Sequence, residues 1–508
     1  MNRKEGAIIS YVLMFIEAAF AFLFTPYIIY SIGDAEYGVY KLSESISSYL
    51  LLLDMGIGQA VVRWMAKYRV SKNDQEQSKF LGFITMLYMC IGILTVVIGQ
   101  ILIALTPRFF AVGLSEENVF LTQKLLHLTI INAAITLGTV GFTNTIIAYE
   151  RFVFSKGLSI IQIITRALLY YFALRLGWGS YGIVLMHTSL TLVARIISIL
   201  YVLFVIRIKP SFRNFEKKFI REVFNYSLLV FLLMITTQIN NTLDNILLVS
   251  FVPDSAVLLS IYSVALQFTY YYNSAGDALT GVLMPGVVRF VENGASPKEL
   301  MKEMVRIGRF VLVFSAFIWI EFLVCGKEFI ILWVGENYLD VYYIALPLLL
   351  VYMVMQTQSI GDNMLNAKNE IKELAIMRVI VIFINVGISL VLIKWNPMMG
   401  VMIGTFISLV LGGVLAKNYL FVKKLGIDLK LYIKEVLSGI IICIITTSVL
   451  CCAIRDFLGQ YKYSFFVNIV VVGVIYAMTI WFLGFKRVER EYLLNIFSNI
   501  CLRKGKSK

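Results

Sequence analysis

The stretch Ile440-Ile441-Ile442-Cys443-Ile444-Ile445 sets six apolar side chains in succession, and the run Val467–Val474 does not alternate apolar with polar either. A strand of a membrane barrel would alternate, because one face meets lipid and the other the lumen. A helix satisfies every backbone group within its own segment, which hydrocarbon demands. Runs of this kind recur along the whole chain at about 20 residues each, enough to cross a bilayer core at 1.5 Å per residue. Of 508 residues, 59% are hydrophobic and 15% charged, against roughly 25% charged in a soluble domain. The mean hydropathy is +0.82. A soluble chain this long would divide into several cores joined by polar linkers. The expected fold class is all-α: a polytopic membrane protein of about fourteen transmembrane helices.

The expected spans are Ile8–Tyr30, Leu42–Val62, Phe80–Leu105, Leu121–Tyr149, Phe152–Leu174, Tyr181–Ile206, Val223–Phe251, Val257–Val288, Ile307–Leu332, Tyr342–Leu365, Leu374–Ile393, Met399–Phe421, Ile433–Ala453 and Tyr463–Phe485. An even count returns both termini to one side, and the positive-inside rule tests it independently. With a cytoplasmic N-terminus, 35 of the 45 Lys and Arg fall in cytoplasmic segments and 8 in outer ones, leaving Arg166 and Arg195 inside spans. Lys41 counts among the outer eight, and Arg309 and Lys417 among the cytoplasmic set. The net charge of +14 therefore reads as membrane orientation, and no nucleic acid is expected as a partner.

Six cysteines form no CxxC pair and the chain has two histidines, so neither a disulfide framework nor a metal site is expected. Met1–Glu5 is a short charged head before an apolar run too long for a signal peptide, so no cleavable leader is expected. The loops are short, nothing resembles a Walker A loop, and the outer acids form no catalytic constellation. The chain reads as no enzyme and as needing no cofactor.

An offset of about 219 residues brings like segments together. Ser31 falls on Ser250, Asn144-Thr-Ile-Ile-Ala148 on Asn363-Met-Leu-Asn-Ala367, and Tyr181-Gly182 on Met399-Gly400. Six helices restore the starting side, so two copies share one topology, related by an axis along the membrane normal. That parallel repeat is a transporter plan with a central cavity and alternating access. It divides the chain into residues 1–206 (spans one to six), 207–421 (a basic loop and spans seven to twelve) and 422–508 (the last two spans and a basic tail).

Ionisable groups inside hydrocarbon cost about 2.5–3.5 kcal/mol each on the insertion scale, so they tend to face a cavity or a partner. Arg166, Arg195 and His187 are the candidate cations of a substrate cavity. Gln162, Gln238, Asn241, Asn245, Gln356 and Asn363 fall on helical stripes that suit either cavity lining or interhelical hydrogen bonding. Glu17, Glu44, Asp244, Asp277 and Asp362 are the candidates for coupling to an ion gradient of H+ or Na+. Asp54 reads as a brace at the inner end of the second span. Glu321, placed near the outer end of its span, takes no role.

Leu53-Asp54-Met55-Gly56-Ile57-Gly58-Gln59-Ala60-Val61-Val62-Arg63, continuing to Ala66-Lys67-Tyr68-Arg69, resembles the motif ending the second helix of bacterial polysaccharide flippases. These are the O-antigen and capsule repeat-unit (Wzx-type) flippases of the multidrug/oligosaccharidyl-lipid/polysaccharide exporter superfamily. Thr25-Pro26 with Ile32-Gly33-Asp34-Ala35-Glu36-Tyr37-Gly38-Val39-Tyr40, and Ala148-Tyr149-Glu150-Arg151-Phe152, agree with it. The resemblance implies two six-helix lobes around a central cavity and a peripheral last pair. It implies transfer of an undecaprenyl-pyrophosphate-linked oligosaccharide from the inner to the outer leaflet of the bacterial cytoplasmic membrane, among membrane lipids and beside a polysaccharide polymerase and chain-length machinery. A multidrug or cation antiporter of the same superfamily is the alternative, and a glycan polymerase or ligase stands further off because it would need a substantial outer loop.

Overall fold

The computed structural model describes residues 3–71, 73–212, 217–281, 284–368, 370, 372–458, 464–491 and 494. Every regular element among them is helical. The first nine helices are α1 (Arg3–Ile32), α2 (Asp34–Leu50), α3 (Ile57–Val70), α4 (Asp74–Phe110), α5 (Glu116–Gly138), α6 (Val140–Ala148), α7 (Phe152–Arg175), α8 (Gly179–Leu200) and α9 (Lys217–Phe251). There follow α10 (Ala256–Gly281), α11 (Met284–Glu292), α12 (Pro297–Val334), α13 (Asp340–Thr357), α14 (Ser359–Ala367) and α15 (Lys372–Leu392). The last five are α16 (Pro397–Ser408), α17 (Ala416–Leu420), α18 (Leu429–Leu437), α19 (Ile440–Leu458) and α20 (Ser464–Thr479).

Ten of these segments are long and apolar enough to cross a membrane, and two bent pairs raise the number to twelve. All twelve coincide with expected spans. The two expected spans not in that set, Val223–Phe251 and Val257–Val288, run along α9, α10 and α11, where several positions lie outside the described residues. The protein is thus a polytopic helical membrane protein. Three cations counted as loop residues belong to helices of the spans. Lys41 is on α2, and Arg309 and Lys417 are 3% exposed. Each has an acid beside it (Glu44, Glu489 and Asp362 respectively), so the charge is neutralised where it stands.

Two compact units divide the chain: Met1–Val264 with Ile382–Thr405, and Ala265–Val381 with Phe406–Lys508. In the first, α1 packs on α7, α7 on α8, α8 on α5, and α5 on both α2 and α4. In the second, α12 is the central element and packs along α13, α18, α19 and α20.

Several residues of the motif at the end of the second span have a physical reason. The span bends by 41° between α2 and α3. Met55 and Gly56 both take the left-handed conformation there, at φ 51° and 74°, and glycine does so at no steric cost. Asp54 receives the freed amide of Gly58 at 3.4 Å and the Tyr88 hydroxyl at 2.5 Å. The Asn144 amide then donates to the Gly58 carbonyl at 2.9 Å. The companion motif closes alongside, where Arg69 donates to the Ala148 carbonyl at 3.2 Å and lies over the Tyr149 ring.

Backbone irregularities recur at the repeat offset. Helix breaks at Thr139 and Gln358 lie 219 residues apart, and each is followed by a nine-residue helix, Val140–Ala148 and Ser359–Ala367. The π-helical turns Tyr201–Ile206 and Phe421–Leu425 end on left-handed Arg207 and Gly426, again 219 apart. The closing bonds Ile208 N to Val202 O and Ile427 N to Phe421 O keep the same register. Hydrophobic patterning does not dictate a π turn, so this correspondence supports the duplication more firmly than the side-chain matches do.

A Cβ added at Gly58 would lie 2.6 Å from the Asn144 amide nitrogen and 3.3 Å from Asp54 Oδ1. Gly58→Ala is expected to destabilise the protein by about 1–3 kcal/mol, the usual cost of overpacking. The thermal unfolding midpoint of the purified full chain measures it, and an unchanged midpoint would show that Asn144 can withdraw freely.

Candidate functional site

Among the described residues, the side chains singled out as cavity and coupling candidates fall mainly in three clusters. The first lies in the first unit, where α7 presents Arg166 and Tyr170 one turn apart. The Arg166 guanidinium carbon sits 4.3 Å from the ring centroid of Phe20 on α1, a cation–π contact. Its Nε is buried and has no hydrogen-bond partner. The Tyr170 hydroxyl is 3.3 Å from Nδ1 of His187 on α8. From α2, Tyr40 donates to Glu44 Oε1 at 2.5 Å and Lys41 to Oε2 at 2.8 Å.

Arg166 and Glu44 are the two charges that act on His187, and both also act on Tyr170. The structure therefore brings Arg166, His187 and Glu44 into one electrostatic neighbourhood. Tyr40 and Tyr170 are buried, whereas the Glu44 side chain is 44% exposed. Arg195 lies two turns beyond His187 on α8, half-buried, with no acid pairing with it among the described residues. Gln162 lies one turn before Arg166, also half-buried.

The second cluster surrounds Asp244, which is 0% exposed. Tyr262 and Thr405 donate to its Oδ2 at 2.5 and 2.7 Å, while Oδ1 is buried without a partner. Asn385 donates to the Thr405 hydroxyl at 3.4 Å, and Ser389 to Asn385 Oδ1 at 3.1 Å. Asn245 donates to Ser45 at 2.9 Å and leaves its own Oδ1 buried and unpartnered. Four helices thus converge on one carboxylate with a free oxygen, which can take a proton or a small cation. Gln238 donates to Ser48 at 2.5 Å. Gln238 and Asn245 accordingly tie α9 to α2, and the Asn241 side chain lies outside the described residues.

The third cluster lies in the second unit. Lys417 Nζ is 2.5 Å from Asp362 Oδ2, and Asp362 Oδ1 is buried without a partner. Asp277, exposed on α10, feels the charges of both. Gln356 accepts from Ser315 and donates to the Tyr272 carbonyl at 3.2 Å, which binds α10, α12 and α13 together. Asn363 is half-buried beside Asp362, and Glu17 stands exposed on α1. Tyr40, Lys41, Tyr170, Tyr262, Thr405 and Lys417 are members that counting charges within spans does not find. Lys417 left a sequence signal, standing between the apolar pairs Val414-Leu415 and Tyr419-Leu420, and Lys41 left one in its three-residue spacing from Glu44.

The family model for polysaccharide biosynthesis proteins matches residues 4–291, more than half of the sequence. The chain belongs to the polysaccharide biosynthesis protein family. No curated protein matches its sequence. Its fold is similar to that of the lipid II flippase MurJ in an inward closed conformation, with a TM-score of 0.70 and 16% identity over 93% of this chain and 97% of that one. It is also similar to a point mutant of the MATE transporter VcmN of Vibrio cholerae, at 0.58 and 15% over 85% and 98%. A transporter of the MOP superfamily from Pyrococcus furiosus, described as having a binding pocket of reverse polarity, aligns at 0.54 and 14% over 84% and 97%. At these identities the likeness is one of fold, and the fold is that of flippases and transporters.

Removing Lys417 alone would take from Asp362 the cation it is paired with. Lys417→Met is expected to cost about 3–5 kcal/mol, the range for breaking a buried pair. The double variant Lys417→Met/Asp362→Asn should recover most of it, and a double-mutant cycle on thermal unfolding reads the coupling. A neutral single variant would show that the pair carries no such energy.

Proposed function

We propose that this protein flips an undecaprenyl-pyrophosphate-linked oligosaccharide from the inner to the outer leaflet of the bacterial cytoplasmic membrane. In this reading both termini are cytoplasmic, and a polysaccharide polymerase and chain-length machinery use the delivered units. The family supplies the pathway class. The observation that carries the reading is Arg166 and Arg195, two guanidinium groups on neighbouring helices for which no acid forms an ion pair among the described residues. A guanidinium left unpaired inside a span is costly and matches phosphate oxygens bidentately, so an anionic headgroup is the cargo that offsets the cost. Phe20 lies against the Arg166 guanidinium, and its half-buried ring adds an apolar face that suits a sugar ring.

Alternating access needs an energy source, and Asp244 is the strongest of the coupling candidates. Tyr262 and Thr405 fix its Oδ2, and the unpartnered Oδ1 gives a proton or Na+ a place to bind and leave. Gly404 lets α16 approach α15 closely next to Thr405, since a Cβ there would fall 2.0 Å from the Ser389 hydroxyl.

Deletion of the gene is expected to abolish surface polysaccharide and to accumulate lipid-linked units on the cytoplasmic leaflet. Complementation with Arg166→Ala or Arg195→Ala should restore the protein to the membrane with export reduced roughly tenfold or more, as loss of a charge-assisted hydrogen bond predicts. Asp244→Asn should abolish the response of export to the ion gradient, and ionophores that collapse each gradient in turn distinguish H+ from Na+. Drug sensitivity with intact surface glycan would favour the antiporter instead. Wild-type export in both arginine variants would remove the basis of the cargo assignment.

A further inference from the structure

Helix α12 carries a carboxyl that the transport reading does not use. Both oxygens of Glu321 are buried and neither has a hydrogen-bond partner. Its location excludes an interfacial explanation. α12 runs 38 residues to Val334, so Glu321 lies roughly 20 Å from that end at 1.5 Å per residue. Across the contact is Gly473 of α20, where a Cβ would come within 3.9 Å of Glu321 Oε1. Gly473 is in the middle of the candidate span Phe465–Gly484. Glu321 therefore sits level with the centre of a span, covered by α19 and α20, both of which pack along α12.

Among the described residues, no neighbouring titratable group forms an ion pair or hydrogen bond with it. On α12 they are Cys325 and Glu328, and Glu328 also has a buried, unpartnered oxygen, Oε2. On α19 they are Cys451, Cys452 and Arg455, and Arg455 donates to the Val324 carbonyl at 3.3 Å. On α20 the Tyr476 hydroxyl is committed to the Val313 carbonyl at 2.6 Å, and on α13 the Tyr342 hydroxyl to the Leu323 carbonyl at 2.9 Å. Burial is the one influence acting on Glu321 itself. No group of three metal-ligating side chains occurs among the described residues.

We propose that Glu321 is a proton-binding site, holding its proton as a neutral carboxylic acid while α19 and α20 lie over it. An ionised carboxylate without donors has nothing to offset its desolvation, and a bound proton removes the charge. The site belongs to the contact between α12 and the last two spans, and it is independent of the Asp244 cluster and of the identity of the cargo.

A hydrophobic carbodiimide, dicyclohexylcarbodiimide, tests this on the full chain in membranes at neutral pH. The acid O–H adds across one C=N bond: the carboxyl oxygen bonds to the central carbon and the proton passes to nitrogen. An acyl shift from oxygen to nitrogen then gives a stable N-acylurea, with no leaving group and no redox partner. Peptide mass mapping should find the adduct on Glu321, with loss of that adduct in Glu321→Gln. Infrared spectra of the purified protein in lipid should show a protonated-acid carbonyl band at neutral pH that the Gln variant lacks. A wild-type protein without adduct at Glu321, or a band unchanged by the substitution, would overturn the proposal. The wild-type labelling stands even if the variant fails to accumulate.

Discussion

A peptide backbone in hydrocarbon has no water to bond to, so each interruption of a helix must be satisfied by the chain itself. This requirement accounts for many of the polar side chains in this protein. At the first bend Asp54 receives the Gly58 amide. At the break before α6 the Thr139 hydroxyl donates to the carbonyls of Ile135 and Thr136. Between α18 and α19 the chain turns by 44° and frees several carbonyls. Arg309 donates to those of Glu435, Val436 and Ser438, to that of Gly484 near the end of the last span, and to the Glu489 carboxylate. One guanidinium thereby fastens the last two spans to α12. Burial pushes the Glu489 carboxyl up, but the bonds from Arg309 and from the Lys486 amide outweigh it and hold it below its usual range.

The helical architecture was legible because hydropathy over 20 residues is a strong signal, and twelve of the expected spans have matching helices. The cations near span ends were not legible from charge counting. Lys41, Arg309 and Lys417 lie close enough to a boundary that a count assigns them to water, and only their partners reveal otherwise. Those partners are on other helices for Arg309 and Lys417, so no spacing along the sequence marks them. Lys41 and Glu44 are three residues apart on one helix, a pair that helical periodicity does show.

The candidate site was legible as a set of residues but not as an arrangement. Arg166, His187 and Glu44 are conspicuous singly, because each is ionisable within an apolar run. That they share a neighbourhood depends on Tyr170 and Tyr40, which are ordinary aromatics in sequence. Asp244 was conspicuous too, whereas Tyr262, Asn385, Ser389 and Thr405 acquire meaning only once four helices bring them to one carboxylate. Glu321 shows the opposite case. It lies mid-span even by the expected bounds Ile307–Leu332, which α12 passes at Val334 by only two residues, so the expectation of a place near the outer end does not hold, and its lack of a hydrogen-bond partner is a property of packing alone.

The repeat also separates what the two halves share from what they change. Asn144 and Asn363 occupy equivalent positions, as do the helix breaks and the π turns, so the backbone plan is common to both. The charges are not. Asp277, Asp362 and Lys417 correspond by the 219-residue offset to Gly58, Thr143 and Ser198. At Gly58 the first half needs a residue without a Cβ so that Asn144 can approach the backbone. The second half runs α10 without a left-handed break at the corresponding point, so that approach is not required and a carboxylate can stand there. A second carboxylate at Asp362 then makes a cation necessary, and Lys417 supplies it from the helix where the first half has a serine. A change in backbone geometry at one position has in this way permitted a neutral contact in one half and a charged one in the other.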